Sequence, residues 1–261
     1  MKRLRIFDTE EQYNSIESQL TYPTVSAIKQ GTLLKILSNI PQEPSYDPEL
    51  FNGYDYIDLG LPSGTLWATT NVGASEPTEY GMTFSWADST GYYEEDNHNF
   101  TITKYKYKAS SKPYYPFTKY NQNDNKTIID LSDDGARENM GGSWRIPSIA
   151  QAKELINPTY TTITTEEYYP DPNNLEYCEY FIKITSKTNN NFIHFPILYS
   201  DDFGTVSDNY TEYIYWTNEC AGGTDPNGYF FTIFDVDSAV YDIGGTSRAH
   251  GGFLRAVIIP T

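Results

Sequence analysis

The chain has 261 residues, enough to bury a core without the help of disulfide bonds or metals. Its 24 Tyr, 13 Phe and 18 Gly favour short strands joined by many turns over packed helices. A formal net charge of −17 argues against nucleic acid as the main partner, because phosphate binding needs clustered Lys and Arg.

Charge and proline positions predict an N-terminal arm (1–40), a linker (41–52) and a body (53–261). The arm holds 5 basic and 4 acidic residues, whereas the 221 residues after it hold 13 basic and 31 acidic ones. Prolines at positions 41, 44 and 48 are typical of a stiff, extended linker.

The arm predicts one amphipathic helix and two strands. Thr9 and Gln12 have capping-box spacing, and Tyr13, Ile16 and Leu20 fall on one helical face. The stretch "TVSAIKQGTLLKIL" predicts two short strands about a turn at Gly31. A segment of this size cannot stabilise itself, so we expect it to pack on the body, on sister copies or on another protein.

The N-terminus starts with basic residues, as a signal peptide does, but lacks the apolar centre of one. Ile6 and Phe7 lead directly to Asp8, and no later run approaches the roughly 18 apolar residues that span a bilayer. If Met1 is the natural start, we expect synthesis in a host cytosol without export.

The sequence of the body predicts mostly strands with a few helices, which is an α+β fold class. Two hairpins are expected, one from "YFIKITSK" and "FIHFPIL" around "TNNN", the other from "YFFTIFDV" and "AVYDIGG" around Asp237 and Ser238. "GFLRAVII" predicts a final strand. Helices are expected only at 133–140 and at 148–156, where Ser148 and Gln151 form a capping box and Asn157-Pro158 ends the helix.

Several segments of the body resemble one family, in the same order along the chain: "YDYIDLGLPSGTLWATTNVGAS" (54–75), "EYGMTFSWAD" (79–88), "DDGARENMGGSWRIPS" (133–148), "KELI" (153–156), "YIYWTNE" (213–219) and "GGFLRAV" (251–257). The match is to the major paralogous (FISUMP) domain, found in Bacteroidales and their phages. This resemblance implies a C-type lectin-like fold with small twisted sheets, two short helices and long loops. Binding usually resides in such loops.

The structural signature of the resemblance lies in the residues Trp67, Trp86, Trp144, Arg145 and Pro147. In "GGSWRIPS" (141–148), we expect Trp144 and Ile146 on one face of a short strand and Arg145 on the other. Arg145 would pair with a carboxylate or cap loop carbonyls.

The arm "RIFDTEEQYNS…YPTVSAI" resembles the N-terminal leader of structural proteins from crAss-like gut phages. The resemblances together imply a non-enzymatic virion protein, such as a head or tail fibre or a capsid decoration, that binds a host-surface glycan or protein. Its partners would be other virion proteins and sister copies in a homo-oligomer. The residues expected to anchor the arm are Ile6, Phe7, Tyr13, Ile16 and Leu20. A bacterial surface or pilus adhesin is the alternative.

The candidate ligand surface joins two regions of the body. Loop tyrosines offer stiff amphipathic faces, and the first region contains Tyr213, Tyr215, Trp216, Asn218 and Glu219. In phage proteins of this fold that are diversified by retroelements, residues near the C-terminus contact receptors. Here these would be Tyr241, Asp242, Arg248 and His250.

Calcium is a possible cofactor, although we expect none. Lectins of this fold bind sugar through calcium with Pro-containing acidic tripeptides, and "DPN" occurs here at 171–173 and 225–227. The tripeptide differs from the lectin motif, and Asp-Pro-Asn is also an ordinary turn.

No catalytic residues are expected. Cys178 and Cys220 lie too far apart in sequence for the cysteine motif of formylglycine-generating enzymes, which share the broader fold and remain the weaker alternative. The histidines His98, His194 and His250 lack zinc-ligand spacing. Acidic pairs such as Glu166-Glu167 are expected by chance in so acidic a chain.

Overall fold

The computed structural model describes residues 4–7, 25–30, 33–38, 51–109, 117–168, 179–197, 214–233 and 241–259. The chain divides into two units, Met1–Asp47 and Pro48–Thr261. The division falls within the proline-rich stretch 41–52.

The first unit contains one sheet, made of β1 (Leu4–Phe7), β2 (Val25–Gln30) and β3 (Leu33–Ser38) in that order. β2 and β3 pair antiparallel, which confirms the two strands predicted about Gly31. β1 pairs parallel with β2 and was not predicted, because four residues are too short for a clear pattern. The helix expected from Thr9, with Tyr13, Ile16 and Leu20, lies outside the described residues.

The second unit combines short strands in small sheets with two short helices, so the expected α+β class is found. In chain order the elements are β4 (Tyr56–Asp58), β5 (Leu66–Ala68), β6 (Thr83–Phe84), a 3₁₀ helix (Glu94–Asp96), α1 (Gly135–Met140), α2 (Ile149–Leu155), β7 (Thr161–Tyr168), β8 (Glu179–Ser186), β9 (Phe192–Ile197), β10 (Tyr215–Cys220), β11 (Asn227–Ile233), β12 (Tyr241–Ser247), β13 (Gly252–Phe253) and β14 (Val257–Ile258). The sheets have the orders β12-β11-β10-β13-β6, β14-β5-β4 and β7-β8-β9.

The strands of both predicted hairpins pair as expected, and the turn expected at Asp237 and Ser238 lies outside the described residues. β8 and β9 pair antiparallel, and so do β11 and β12. Both predicted helices are present as well. α1 is capped by the Asp134 side chain, which accepts from the backbone N–H of Arg137, and α2 begins with the expected box between Ser148 and Gln151.

The single strand expected from "GFLRAVII" is wrong. β13 belongs to the five-stranded sheet and β14 to the sheet with β5, and residues 254–256 cross between them. The chain there bonds to the end of β5, through Ala68 N to Ala256 O (2.9 Å), and to the segment after it, through Val72 N to Leu254 O (2.9 Å). Residues 251–258 are all buried, so their sequence has no polar alternation to mark the break.

The core of the second unit consists of two main apolar clusters. One surrounds Trp86, Trp144 and Trp216, and the other packs α2 and the β7-β8-β9 sheet around Trp67. Among the described residues, no helix is long and apolar enough to span a membrane.

Candidate functional site

Buried tryptophans tie distant segments of the body together. Their indole N–H groups donate to backbone carbonyls: Trp86 to Thr217 (2.9 Å), Trp144 to Phe51 (2.7 Å) and Trp216 to Phe84 (2.8 Å). Trp67 is fully buried against Phe231. The expected signature residues Trp67, Trp86 and Trp144 are therefore scaffold, and Pro147 is buried with them.

Arg145 is also part of the scaffold. It exchanges both backbone hydrogen bonds with Val257 (3.0 and 2.9 Å), so that Trp144 and Ile146 are buried while Arg145 is half-buried. Its guanidinium donates to the carbonyls of Trp144 and Gly142. No described carboxylate lies within ion-pair distance of this guanidinium. Of the two roles expected for Arg145, the structure therefore has the capping of carbonyls and not the pair with a carboxylate.

Three residues of the expected ligand surface lie in the core instead: Tyr215, Trp216 and Arg248 are at most 3% exposed. This corrects the prediction, and for Tyr215 and Trp216 the cause is topological. β10 is an inner strand between β11 and β13, and side chains on both of its faces are covered. Tyr213 and the side chains of Tyr241 and Asp242 lie outside the described residues.

The remaining residues of that expected surface have structural partners. Glu219 accepts from the backbone N–H of Ile149 (2.9 Å), at the first residue of α2. The backbone N–H of Asn218 donates to Pro147 O (2.8 Å). His250 Nδ1 lies 2.8 Å from Thr246 Oγ1, and burial lowers the pKa of this histidine. Asn218, Glu219 and His250 are half-buried and hold neighbouring segments in place.

Arg248 fixes two loops from inside the body. Its guanidinium lies 5.2 Å from the Trp86 ring and 4.7 Å from the Phe117 ring. It donates to Tyr120 O (2.8 Å) and to Asp225 O (2.9 Å). Arg248 thus holds the segment around residue 120 and the turn at residue 225.

The tripeptide at 225–227 forms a turn, since Asp225 Oδ1 accepts from the backbone N–H of Asn227 (2.9 Å). The described residues contain no group of three acidic, His or Cys side chains that could hold a metal ion. The other tripeptide, at 171–173, lies outside the described residues.

A buried carboxylate, Asp133, holds the long loop between β6 and α1. It accepts from Lys106 (3.0 Å), Lys119 (2.5 Å) and Tyr120 (2.6 Å). Its own burial raises its pKa, but the hydrogen bonds from Lys119, Tyr107, Tyr120 and Lys106 outweigh this and hold the pKa well below its ordinary value.

An aromatic stack lies at the start of this long loop. The rings of Tyr92 and His98 are 3.6 Å apart between centroids and nearly parallel at 14°. His98 meets Phe100 edge-on at 4.8 Å, and Phe100 is buried. Tyr92 and His98 are half-buried, and Tyr93 is 42% exposed. We call residues 91–100 the aromatic loop.

Local interactions fold the aromatic loop. Tyr92 exchanges two backbone hydrogen bonds with Thr83, the first residue of β6 (2.9 and 3.0 Å). Asp96 accepts from the backbone N–H of Tyr93 (2.8 Å) across the 3₁₀ helix Glu94–Asp96. Asn97 adopts the left-handed conformation (φ 48°), which Asn tolerates well, and the chain turns back so that His98 reaches Tyr92.

The aromatic loop has an acidic border. Glu94, Glu95 and Asp96 are exposed beside the stack. The pKa of His98 is lowered, first by partial burial and then by Lys104, while Asp88 and Asp96 oppose the shift. The neutral imidazole is therefore favoured near neutral pH, and a neutral ring both donates and accepts hydrogen bonds.

The other reactive side chains considered in the sequence, His194, Glu166 and Cys220, have structural partners or are buried. His194 Nε2 lies 3.0 Å from Glu166 Oε2, and the other oxygen of Glu166 bonds Lys183 at 2.7 Å. Cys220 is a buried free thiol whose pKa is raised by burial, which disfavours the reactive thiolate. Cys178 lies outside the described residues.

The sequence shows His98 only as one of three histidines without zinc-ligand spacing, and no pattern in it pairs His98 with Tyr92. The two rings meet because the chain turns back at Asn97, and the spacing of Tyr92 and His98 in the sequence does not predict that turn. Comparison of the chain with known proteins found no matching protein family, no matching curated protein and no matching solved structure.

Proposed function

We propose that this chain is a non-enzymatic structural protein of a phage virion, a head or tail fibre or capsid decoration, whose C-type lectin-like body binds a host-surface glycan through the aromatic loop. The observation that carries the proposal is the Tyr92–His98 stack with its exposed acidic border. The arm would join the chain to other virion proteins.

The chemistry of the aromatic loop suits a sugar. A sugar ring presents apolar C–H faces and a rim of hydroxyl groups. Stacked aromatic rings offer a flat apolar face, and the carboxylates of Glu94 and Glu95 accept hydrogen bonds from hydroxyl groups. This set of groups can bind a sugar without a metal ion.

The rigidity of the loop also supports binding. The pairing of Tyr92 with Thr83 and the bond from the Tyr93 N–H to Asp96 already fix the backbone at Tyr92 and Tyr93. A preformed site loses little conformational entropy when it binds its ligand, which leaves more of the contact energy as affinity.

The architecture of the body supports the proposed C-type lectin-like fold. Small sheets, two short helices and long connections are what the family resemblance implies, and the signature tryptophans are buried in the core. The acidic composition would keep many copies soluble on one particle.

Binding to an array of host-surface glycans tests the proposal. The full chain should bind at least one glycan, and His98→Ala should weaken binding at least tenfold, because the stack is lost. Tyr229→Ala changes a half-buried tyrosine of β11 outside the loop and should leave affinity unchanged. Chelation of divalent cations should have no effect. Unchanged binding by the His98 variant, with wild-type thermal stability, would refute the site, and absence of any bound glycan would refute the function.

A further inference from the structure

The outer edge of β3 is unpaired in the described part of the chain, where β3 bonds only to β2. β3 has six residues, "LLKILS", with no proline, one charged residue (Lys35) and an uninterrupted register. Natural edge strands are usually protected by charges, prolines, bulges or short length. The opposite edge, β1, has four residues and includes Arg5. β3 is therefore the less protected of the two edges.

Charge favours a second copy of the chain as the partner of this edge. The arm, 1–40, has 5 basic and 4 acidic residues, whereas the remainder has 13 basic and 31 acidic ones. Two bodies repel each other, but two arms do not. Contact between copies is therefore least opposed at the arm.

The order of residues in β3 suits pairing with itself. If two β3 strands run antiparallel about a two-fold axis at Ile36, then Lys35 lies opposite Leu37 and Leu34 lies opposite Ser38. An axis at Lys35 would instead place two lysines opposite each other, which destabilises a sheet. The register aligns Ile6, Ala27 and Ile36 across the three strands. Pairing at Ile36 would extend that apolar row into the second copy.

We propose that β3 pairs antiparallel with β3 of a second copy, centred on Ile36, so that two three-stranded sheets form one six-stranded sheet. Such an interface is isologous and closes as a dimer. This pairing would join two copies of the chain through the arm, and its role in virion assembly rests on the proposed function.

Molar mass in solution tests this pairing on the full chain. The wild type should be a dimer. Ile36→Lys and Ile36→Glu, each alone, should be monomers at the same concentration, because like charges meet at the axis. A mixture of the two variants should recover the dimer. Arg5→Glu alters charge on the opposite edge and should remain dimeric.

A monomeric or trimeric wild type would overturn the inference. So would dimers of both Ile36 variants, or a mixture that stays monomeric. The measurement uses purified chain without particles or glycans, so its failure leaves glycan binding by the aromatic loop untouched. Loss of glycan binding in the His98 variant would equally leave the dimer intact.

Discussion

Arg255 Nε lies 2.9 Å from Asn71 Oδ1, and both residues are buried. The same guanidinium donates to the carbonyls of Thr69 (2.8 Å) and His194 (2.9 Å), and no described carboxylate lies within ion-pair distance. Burial lowers the pKa of Arg255 to about 10, so it stays charged at neutral pH. One buried cation thus joins the segment after β5 to β9.

Replacement of Arg255 should destabilise the body strongly. Arg255→Met leaves several buried acceptors without donors, and we expect the free energy of unfolding in urea to fall by about 3 kcal/mol or more. Arg255→Lys should also lose stability, because a single ammonium group cannot reach all the acceptors that the planar guanidinium bonds. Arg137→Ala, on an exposed position of α1, is the control and should change stability by about 0.5 kcal/mol or less. A stable Met variant would show that this network contributes little.

Asp133 should make the body sensitive to acid. Its folded pKa lies below the ordinary value of 3.8, so its stabilisation is complete above that value and is lost as pH falls below it. Asp133→Asn should lower stability at pH 7 by about 2 kcal/mol and flatten the dependence below pH 4. Unfolding curves between pH 7 and pH 2 measure both effects. Glu95→Gln, at an exposed carboxylate, should keep the wild-type slope.

His194 should contribute a second pH dependence at higher pH. Burial lowers its pKa below 6.5 despite Glu166, while Lys183 and Arg255 lower it further. Because the folded state favours the neutral ring, stability is complete above pH 6.5 and falls as pH drops through the folded pKa. His194→Gln should therefore reduce the slope below pH 6.5. An unchanged slope would mean that His194 is protonated as readily in the folded chain as in the unfolded one.

Gly91 should be essential to the shape of the aromatic loop. A Cβ at this position would lie 2.5 Å from Phe84 Cζ, and Phe84 is buried. Gly91→Ala should cost about 1–3 kcal/mol and weaken glycan binding, because the loop must shift. Gly245→Ala is the matched control, since its added Cβ meets no atom closer than 3.6 Å. Equal stability of the two variants, measured by thermal unfolding, would contradict the expected clash.

The elements with strong local patterns were predictable from the sequence. The hairpin β8–β9 alternates clearly, and Ser148 with Gln151 marks the start of α2 by a local hydrogen-bond pair. The break between β13 and β14 was not predictable, because the whole segment is buried.

The site was harder to predict for a physical reason. Tyr215, Trp216 and Arg248 look like binding residues by type, but strand order and loop packing decide that they are buried. The Tyr92–His98 stack depends on one left-handed residue, Asn97, and on pairing with Thr83. These are tertiary relationships that residue spacing does not encode.

Quantitative mass spectrometry of purified phage particles, compared with outer-membrane fractions of uninfected host cells, distinguishes a virion protein from a bacterial surface protein. We expect this chain in the particles at a fixed copy number per capsid, and its absence from the membranes of uninfected cells. Its presence in those membranes, with none in the particles, would contradict a virion protein and favour a bacterial adhesin.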